Sequence, residues 1–293
     1  MKRILAMVLT LVMVLGMTCM GAMAEGKEVV HIGLALNESD ESMNMWAKYF
    51  LEAIDRYNET SDQYEFVGHV TSAEKDVQKQ IDDVNALIEL GCKSIIMHSV
   101  DTEGCKAAVD ACNAAGVYMI EARGMEYEGV DLMFNPNDEY AIADCAVTWF
   151  DENVMNDENF VLKIGAIYGM ASMTQQLIRV DAVIDTLKEK YGDDRVILVD
   201  QAFCDWDVQK GMEIMENWLQ KYPIEEMNCI LNASSDGMSG CVQAIKGFGG
   251  DELCKEYILQ TTDAHATILY YITEGLVDMT VGLSPVAAGA IGA

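Results

Sequence analysis

From Val29 almost to its last residues the chain alternates short apolar runs with longer amphipathic segments, a rhythm that few folds accept. Val29–Leu36 (VVHIGLAL) reads as a buried strand, Met43–Tyr57 as a helix and Tyr64–Val67 as a short strand. Ala73–Leu90 carries Val77, Ile81, Val84, Leu87 and Ile88 on one face, the spacing of an amphipathic helix. Gly91 ends it, as glycine after a last helical turn does. Ser94–Met97, a helix over Glu103–Ala115 and a strand over Val117–Ile120 follow. Beyond Asn135 the order becomes helix then strand: Glu139–Asn153 and Phe160–Ile167, Thr174–Lys190 and Val196–Val199, Val208–Lys221 and Cys229–Leu231. Gly237–Gly247 then leads to Tyr257–Leu259, and Ala264–Glu274 to Met279–Val281. Strands apolar on both faces, separated by helices, imply an α/β fold with a parallel sheet covered on both sides. Two such blocks predict two doubly wound parallel-sheet lobes with a ligand cleft between them. In such sheets ligands bind beyond the carboxyl ends of the strands, so the residues that follow strands are the informative ones.

The flanks and the composition narrow the setting. Lys2 and Arg3, the apolar run Ile4–Leu15 and Ala22-Met23-Ala24 have the layout of a secretory signal peptide. The run is short for a membrane span of about 20 residues. Residues 1–24 are therefore expected to be a signal peptide, and the protein to act in the periplasm or on the outer face of the cell membrane. An uncleaved anchor, or lipid attachment at Cys19, stays open. Residues 25–134 are expected to form the first lobe, with 284–293 returning to it, and 135–283 the second; Pro136 marks the boundary. A formal charge of −29 repels phosphate backbones, so no nucleic-acid partner is expected. Cys92, Cys105, Cys112, Cys145, Cys204, Cys229, Cys241 and Cys254 include no C-x-x-C pair, and most lie in apolar stretches. Buried free thiols are expected.

The stretch IDDVNALIELGCKSIIMHSVDTEGCKAAVDACNAAGVYMI resembles the ribose/galactose-type periplasmic binding proteins. It places a helix, a strand with a polar turn, a helix of the A-x-x-A-x-x-A-G kind and an apolar strand in that family's order. The resemblance runs from about Val29 to Gly289 and rests on order and spacing rather than on one motif. It implies the type I periplasmic-binding-protein fold, two lobes joined by three crossings, one sugar-like ligand in the cleft and delivery to the permease of an ABC transporter. A ligand-sensing protein feeding a chemoreceptor or sensor kinase is the alternative. A monomer is expected, with no metal or cofactor.

Site residues carry over one by one. Where the family has Asp-Arg after the fourth strand, this chain has Glu121-Ala122-Arg123, so Arg123 matches and the acid is lost. An arginine fork donates paired hydrogen bonds to neighbouring hydroxyls, although a rim salt bridge to Glu121 would suit it equally. Trp206 stands where a stacking aromatic commonly follows a second-lobe strand; packing at a helix start is its other reading. Ser235 and Asp236 resemble an Asn-Asp turn, with Ser235 assigned to ligand and Asp236 to helix capping. Asp263, in Thr261-Thr262-Asp263, resembles the aspartate that takes ligand hydroxyls, or else caps the next helix. Asn44, Met45 and Trp46 fall near the family's asparagine and paired aromatics, and Trp46 suits the core as well.

The departures count too. Leu177 stands where an arginine often binds ligand, while Arg179 matches a structural one; Leu283 replaces a hinge glutamine. Ribose itself is thereby disfavoured. Family members continue beyond the hinge segment that ends here at Ala293, which leaves open that the chain is cut short. An enzyme is not expected: G-x-S-x-G, H-E-x-x-H and the P-loop are absent, and His31, His69, His98 and His265 lack metal spacing. His98 and His265 both follow strands and so can approach the cleft.

Overall fold

The computed structural model describes residues 26–101, 103–122, 128–134 and 138–283. The signal-peptide segment, Cys19, Arg123, Pro136 and the returning segment 284–293 lie outside the described residues. The first half runs β1 (Glu28–Leu36), α1 (Glu41–Thr60), β2 (Tyr64–Ser72), α2 (Val77–Glu89), β3 (Cys92–Met97), α3 (Lys106–Ala115), β4 (Tyr118–Glu121) and β5 (Leu132–Met133). The second runs α4 (Glu139–Asn153), β6 (Leu162–Tyr168), α5 (Thr174–Tyr191), β7 (Val196–Phe203), α6 (Val208–Lys221), β8 (Cys229–Asn232), α7 (Ser235–Cys254), β9 (Ile258–Asp263), α8 (Ala266–Thr273) and β10 (Met279–Gly282).

Two five-stranded sheets result, in the orders β2-β1-β3-β4-β5 and β10-β9-β8-β6-β7, and every paired strand is parallel. Each sheet buries both faces. In the first, Leu34, Leu36 and Ile96 meet Trp46, Phe50 and Ile54 of α1, while Ala35, Ile95 and Met97 meet Val84 and Leu87 of α2 and Val109 of α3. In the second, Ile164, Ala166 and Leu231 pack on Phe150 of α4 and Ile184 of α5. Its other face sets Ile167, Ile230 and Leu259 against Met215, Trp218, Cys241 and Ile268 from α6, α7 and α8. A side chain such as Phe50 or Phe150, about fully buried, contributes roughly 1.5–3 kcal/mol.

Part of the acidic charge holds the helices. Asp40, Asp76, Asp138 and Asp207 each accept a backbone N–H of the first turn that follows, at 2.6–3.1 Å. Such a cap stabilises by about 1 kcal/mol. Seven of the eight described cysteines are buried, all eight are free, and Cys145 is exposed. Burial pushes the Cys112 thiol up to about 12, so it stays protonated and inert. Among the described residues no helix is long and apolar enough to cross a membrane.

Candidate functional site

Loops at the carboxyl ends of strands from both sheets converge on one cavity of about 200 Å³. The first lobe supplies Asn37, Glu38 and Asp40 after β1, Glu41, Ser42, Met43, Met45 and Trp46 on α1, and His98 after β3. The second supplies Arg179 from α5, Trp206 after β7, Ser234 and Asp236 after β8, Asp263 to His265 after β9, and Leu283 after β10. Drug-sized pockets run to roughly 300–1,000 Å³, so this space suits a smaller ligand.

The lobes touch at its edges. Ser42 Oγ and His265 Nε2 lie 2.8 Å apart, and Lys75 Nζ donates to the Asp205 carbonyl at 2.8 Å while pairing with Glu38 at 3.1 Å. Three strand-to-helix turns carry consecutive non-glycine residues in the left-handed region: Glu74-Lys75 (φ 52° and 65°), Asp205-Trp206 (50° and 57°) and Asp263-Ala264 (85° and 56°). Each such residue costs about 1–2 kcal/mol. Strain of this kind gathers where a structure clamps a ligand.

Aromatic faces line the space from two sides. Trp46 is buried, set edge-on to His98 with ring centroids 5.2 Å apart and stacked near Phe134 at 6.4 Å. His98 in turn bonds Asn37 Oδ1 at 2.8 Å through Nδ1. Trp206 packs against Gly169, its indole N–H directed at Met173 Sδ at 3.3 Å, and the Arg179 guanidinium lies 5.9 Å over the ring. Packing fixes each tryptophan ring, and part of each borders the cavity.

Arg179 ties the second-lobe wall together. It grips Glu139 with two bonds, at 2.8 and 2.9 Å, and its remaining nitrogen reaches the Ala233 carbonyl at 3.0 Å, Thr262 Oγ1 at 3.3 Å and Asp263 at 3.4 Å. Arg179 and Glu139 are both buried, and breaking such a pair by removing one partner costs about 3–5 kcal/mol. Burial pushes Asp263 above the ordinary carboxylate value, outweighing the opposite pull of Arg179 and His265. Burial likewise raises Asp40. Burial by itself would lower His265, but Asp236 at 3.5 Å, with Asp263 and Asp40, overcomes it and lifts the imidazole to about 9. His265 is thus a cation at neutral pH.

The residues singled out in the sequence are distributed unevenly. Trp46, Trp206 and Asp263 line the cavity. Arg123 lies outside the described residues, and Glu121, offered as its salt-bridge partner, is buried and accepts from Ser99 at 3.1 Å. Asn44 is exposed and outside the lining; Asp40 starts α1 so that Met43, Trp46 and Phe50 face inward, which turns Asn44 outward. Ser235 is fully buried behind the wall, where its hydroxyl donates to the Thr262 carbonyl at 2.8 Å and accepts the His265 N–H at 3.1 Å. The capping role read for Asp236 belongs to Ser234, whose Oγ accepts the Gly237 N–H at 3.1 Å, leaving Asp236 to face the cavity. Glu38, Asp40, Glu41 and Ser42 were not singled out. Their signal was position: all follow β1, where this class of sheet binds its ligands. Among the described residues no three potential metal ligands cluster.

Comparison with known proteins agrees with this architecture. The ribose import binding protein of Bacillus subtilis is 24% identical over 190 residues, a match spanning 63% of this chain but only 57% of that protein. A solute-binding protein of an ABC transporter from Bacillus halodurans, solved with myo-inositol, is 21% identical and superposes with a TM-score of 0.73 over 92% of this chain and 88% of its own. The fructose-binding periplasmic domain of a hybrid two-component system is 17% identical, with a TM-score of 0.77 over 89% of this chain and 82% of its own. At these identities the two structures speak to the fold. The sequence itself matches the family model of the periplasmic binding protein domain over residues 35–293, and with two wound lobes enclosing a polar cavity the chain belongs to that family.

Proposed function

We propose that this chain is an extracytoplasmic solute-binding protein that captures a sugar-like polar molecule for import through the permease of an ABC transporter. The observation that carries the reading is the cavity itself, walled from both lobes by hydrogen-bonding side chains and bordered by Trp46 and Trp206. Tryptophan faces suit the apolar face of a pyranose or cyclitol ring, and carboxylates accept from its hydroxyls. Asp263 would hold ligand hydroxyls, its orientation set by Arg179. The likeness to a protein solved with myo-inositol and to a ribose import protein supports a polyol of that size. Closure follows from the contacts that a bridging ligand adds in the closed arrangement alone.

A second reading, in which the closed form is read by a sensor kinase or chemoreceptor, is supported by the likeness to a fructose-binding domain of a two-component system. Both readings share the ligand step. Thermal denaturation of the purified chain with a panel of monosaccharides, cyclitols and nucleosides tests that step, because a ligand bound only by the native state raises Tm. A subset of the ring polyols is expected to raise Tm by several degrees. A panel without effect, alongside stabilisation by amino acids or peptides, contradicts the reading.

A further inference from the structure

The cavity has more negative charge than a neutral polyol calls for. Among the described residues its lining holds five carboxylates (Glu38, Asp40, Glu41, Asp236 and Asp263) against two cations, Arg179 and His265. Widening the count to their direct partners adds Lys75, paired with Glu38, and Glu139, which takes both forks of Arg179, so the excess stays at three. The internal pairs account for most of the positive charge: Arg179 is committed to Glu139 and Asp263, and His265 to Asp236. Asp40 and Glu41 have no ion-pair partner among the described residues. Asp40 caps α1, and Glu41 accepts the Ala266 N–H across the lobes, at 3.4 Å.

The starts of α1, α7 and α8 face the same space, each with about half a positive charge. Those partial charges soften the excess without removing it. Leu177, one position where the resembling proteins carry a ligand-binding arginine, supplies no cation here. A hydroxyl donates a hydrogen bond to a carboxylate but leaves its charge in place when the lobes close and water leaves. An ammonium group compensates the charge and donates as well, and fields between low-dielectric walls concentrate its attraction.

From this charge arrangement we infer that the natural ligand carries a protonated amine alongside its hydroxyls, as an amino sugar or aminocyclitol does. The inference rests on the interlobe cavity being the ligand site, and it adds the charge of the ligand to that reading. The ammonium docks near Asp40 and Glu41, at the first-lobe side, and the ring hydroxyls meet Asp263 and the two tryptophans.

Melting curves of the whole chain at pH 7 test this with matched pairs: glucose and glucosamine, galactose and galactosamine, myo-inositol and an amino-inositol. N-acetylglucosamine serves as a neutralised control, and putrescine and spermidine as amines without a ring. The expected result is that at least one amine-bearing member binds ten times more tightly than its hydroxyl partner, with the advantage lost on acetylation. Asp40→Asn, which keeps the cap because asparagine caps as well as aspartate, should narrow that ratio severalfold without lowering the ligand-free Tm. If neutral sugars bind as tightly as their amine partners, the inference is overturned and the sugar reading stands. If only the ring-free amines bind, the inference is overturned and the sugar reading falls with it. If no amine in the panel shifts Tm, the inference is overturned.

Discussion

His265 joins the lobes and is the side chain whose charge state matters most to the cleft. Its pKa in the folded chain, about 9, lies above the ordinary value of 6.5, so folding takes up a proton. A group raised in this way stabilises fully below 6.5, and that contribution fades as pH rises through 9. Asp40 and Asp263, also raised, act in the same direction, because the native chain again holds protons more tightly than the unfolded one. His265→Gln is therefore expected to cost roughly 2–3 kcal/mol near pH 6 and little above pH 9.5, where both chains are neutral at this position. Urea denaturation at a series of pH values checks this; a cost that does not change with pH removes the imidazolium from the account. At this scale the site was only partly legible. Trp46, Trp206 and Asp263 line the cavity, and their place after a strand or on α1 made that position readable. The cap fell to Ser234, Ser235 turned into the wall and Asp236 faced the cavity, because adjacent residues at a helix start differ by about 100° in direction, which no spacing argument resolves without knowing the first helical residue.

Elements were more legible, since a buried strand and a two-sided helix leave periodic traces. The misses have local causes. β2 runs on to Ser72 through Gly68, where the sequence suggested a stop; the glycine is there because Phe50 and Leu51 of α1 press on that point of the sheet. α7 starts at Ser235 and continues past the expected end at Gly247 to Cys254, with a break at Gly250 (φ 78°). β5, two residues long, is too short for a periodic signal. The contact of α6 with α7 depends on Gly240: a Cβ there would lie 2.0 Å from the Val208 carbonyl and 2.5 Å from the Met212 nitrogen, both backbone atoms that cannot swing aside. Gly240→Ala is expected to destabilise the second lobe by about 3 kcal/mol. Urea midpoints measure this, and a change within about 0.5 kcal/mol, the range of an ordinary surface substitution, would show that the helices part without cost.

At the scale of the molecule, two sheets of the same parallel construction turn their strand ends toward one space, and hydrogen bonds from His265 to Ser42 and from Lys75 to the Asp205 carbonyl already cross it. The three left-handed turns lie at strand ends near that space, and the raised carboxylates Asp40 and Asp263 line it. A ligand held from both sides would draw its affinity from contacts available only when the lobes are together, so losing one wall's contact should weaken binding without unfolding either lobe. Asp263→Asn isolates that effect, because asparagine tolerates the left-handed backbone that Asp263 adopts and preserves its shape. The decisive measurement is a calorimetric titration of the best-binding ring polyol into wild-type chain and Asp263→Asn. One ligand per chain is expected, with affinity about tenfold weaker in the variant, as befits a hydrogen bond to a charged group becoming one to a neutral group. Equal affinities in the two chains, or a stoichiometry other than one, would contradict a ligand clasped between the lobes at Asp263.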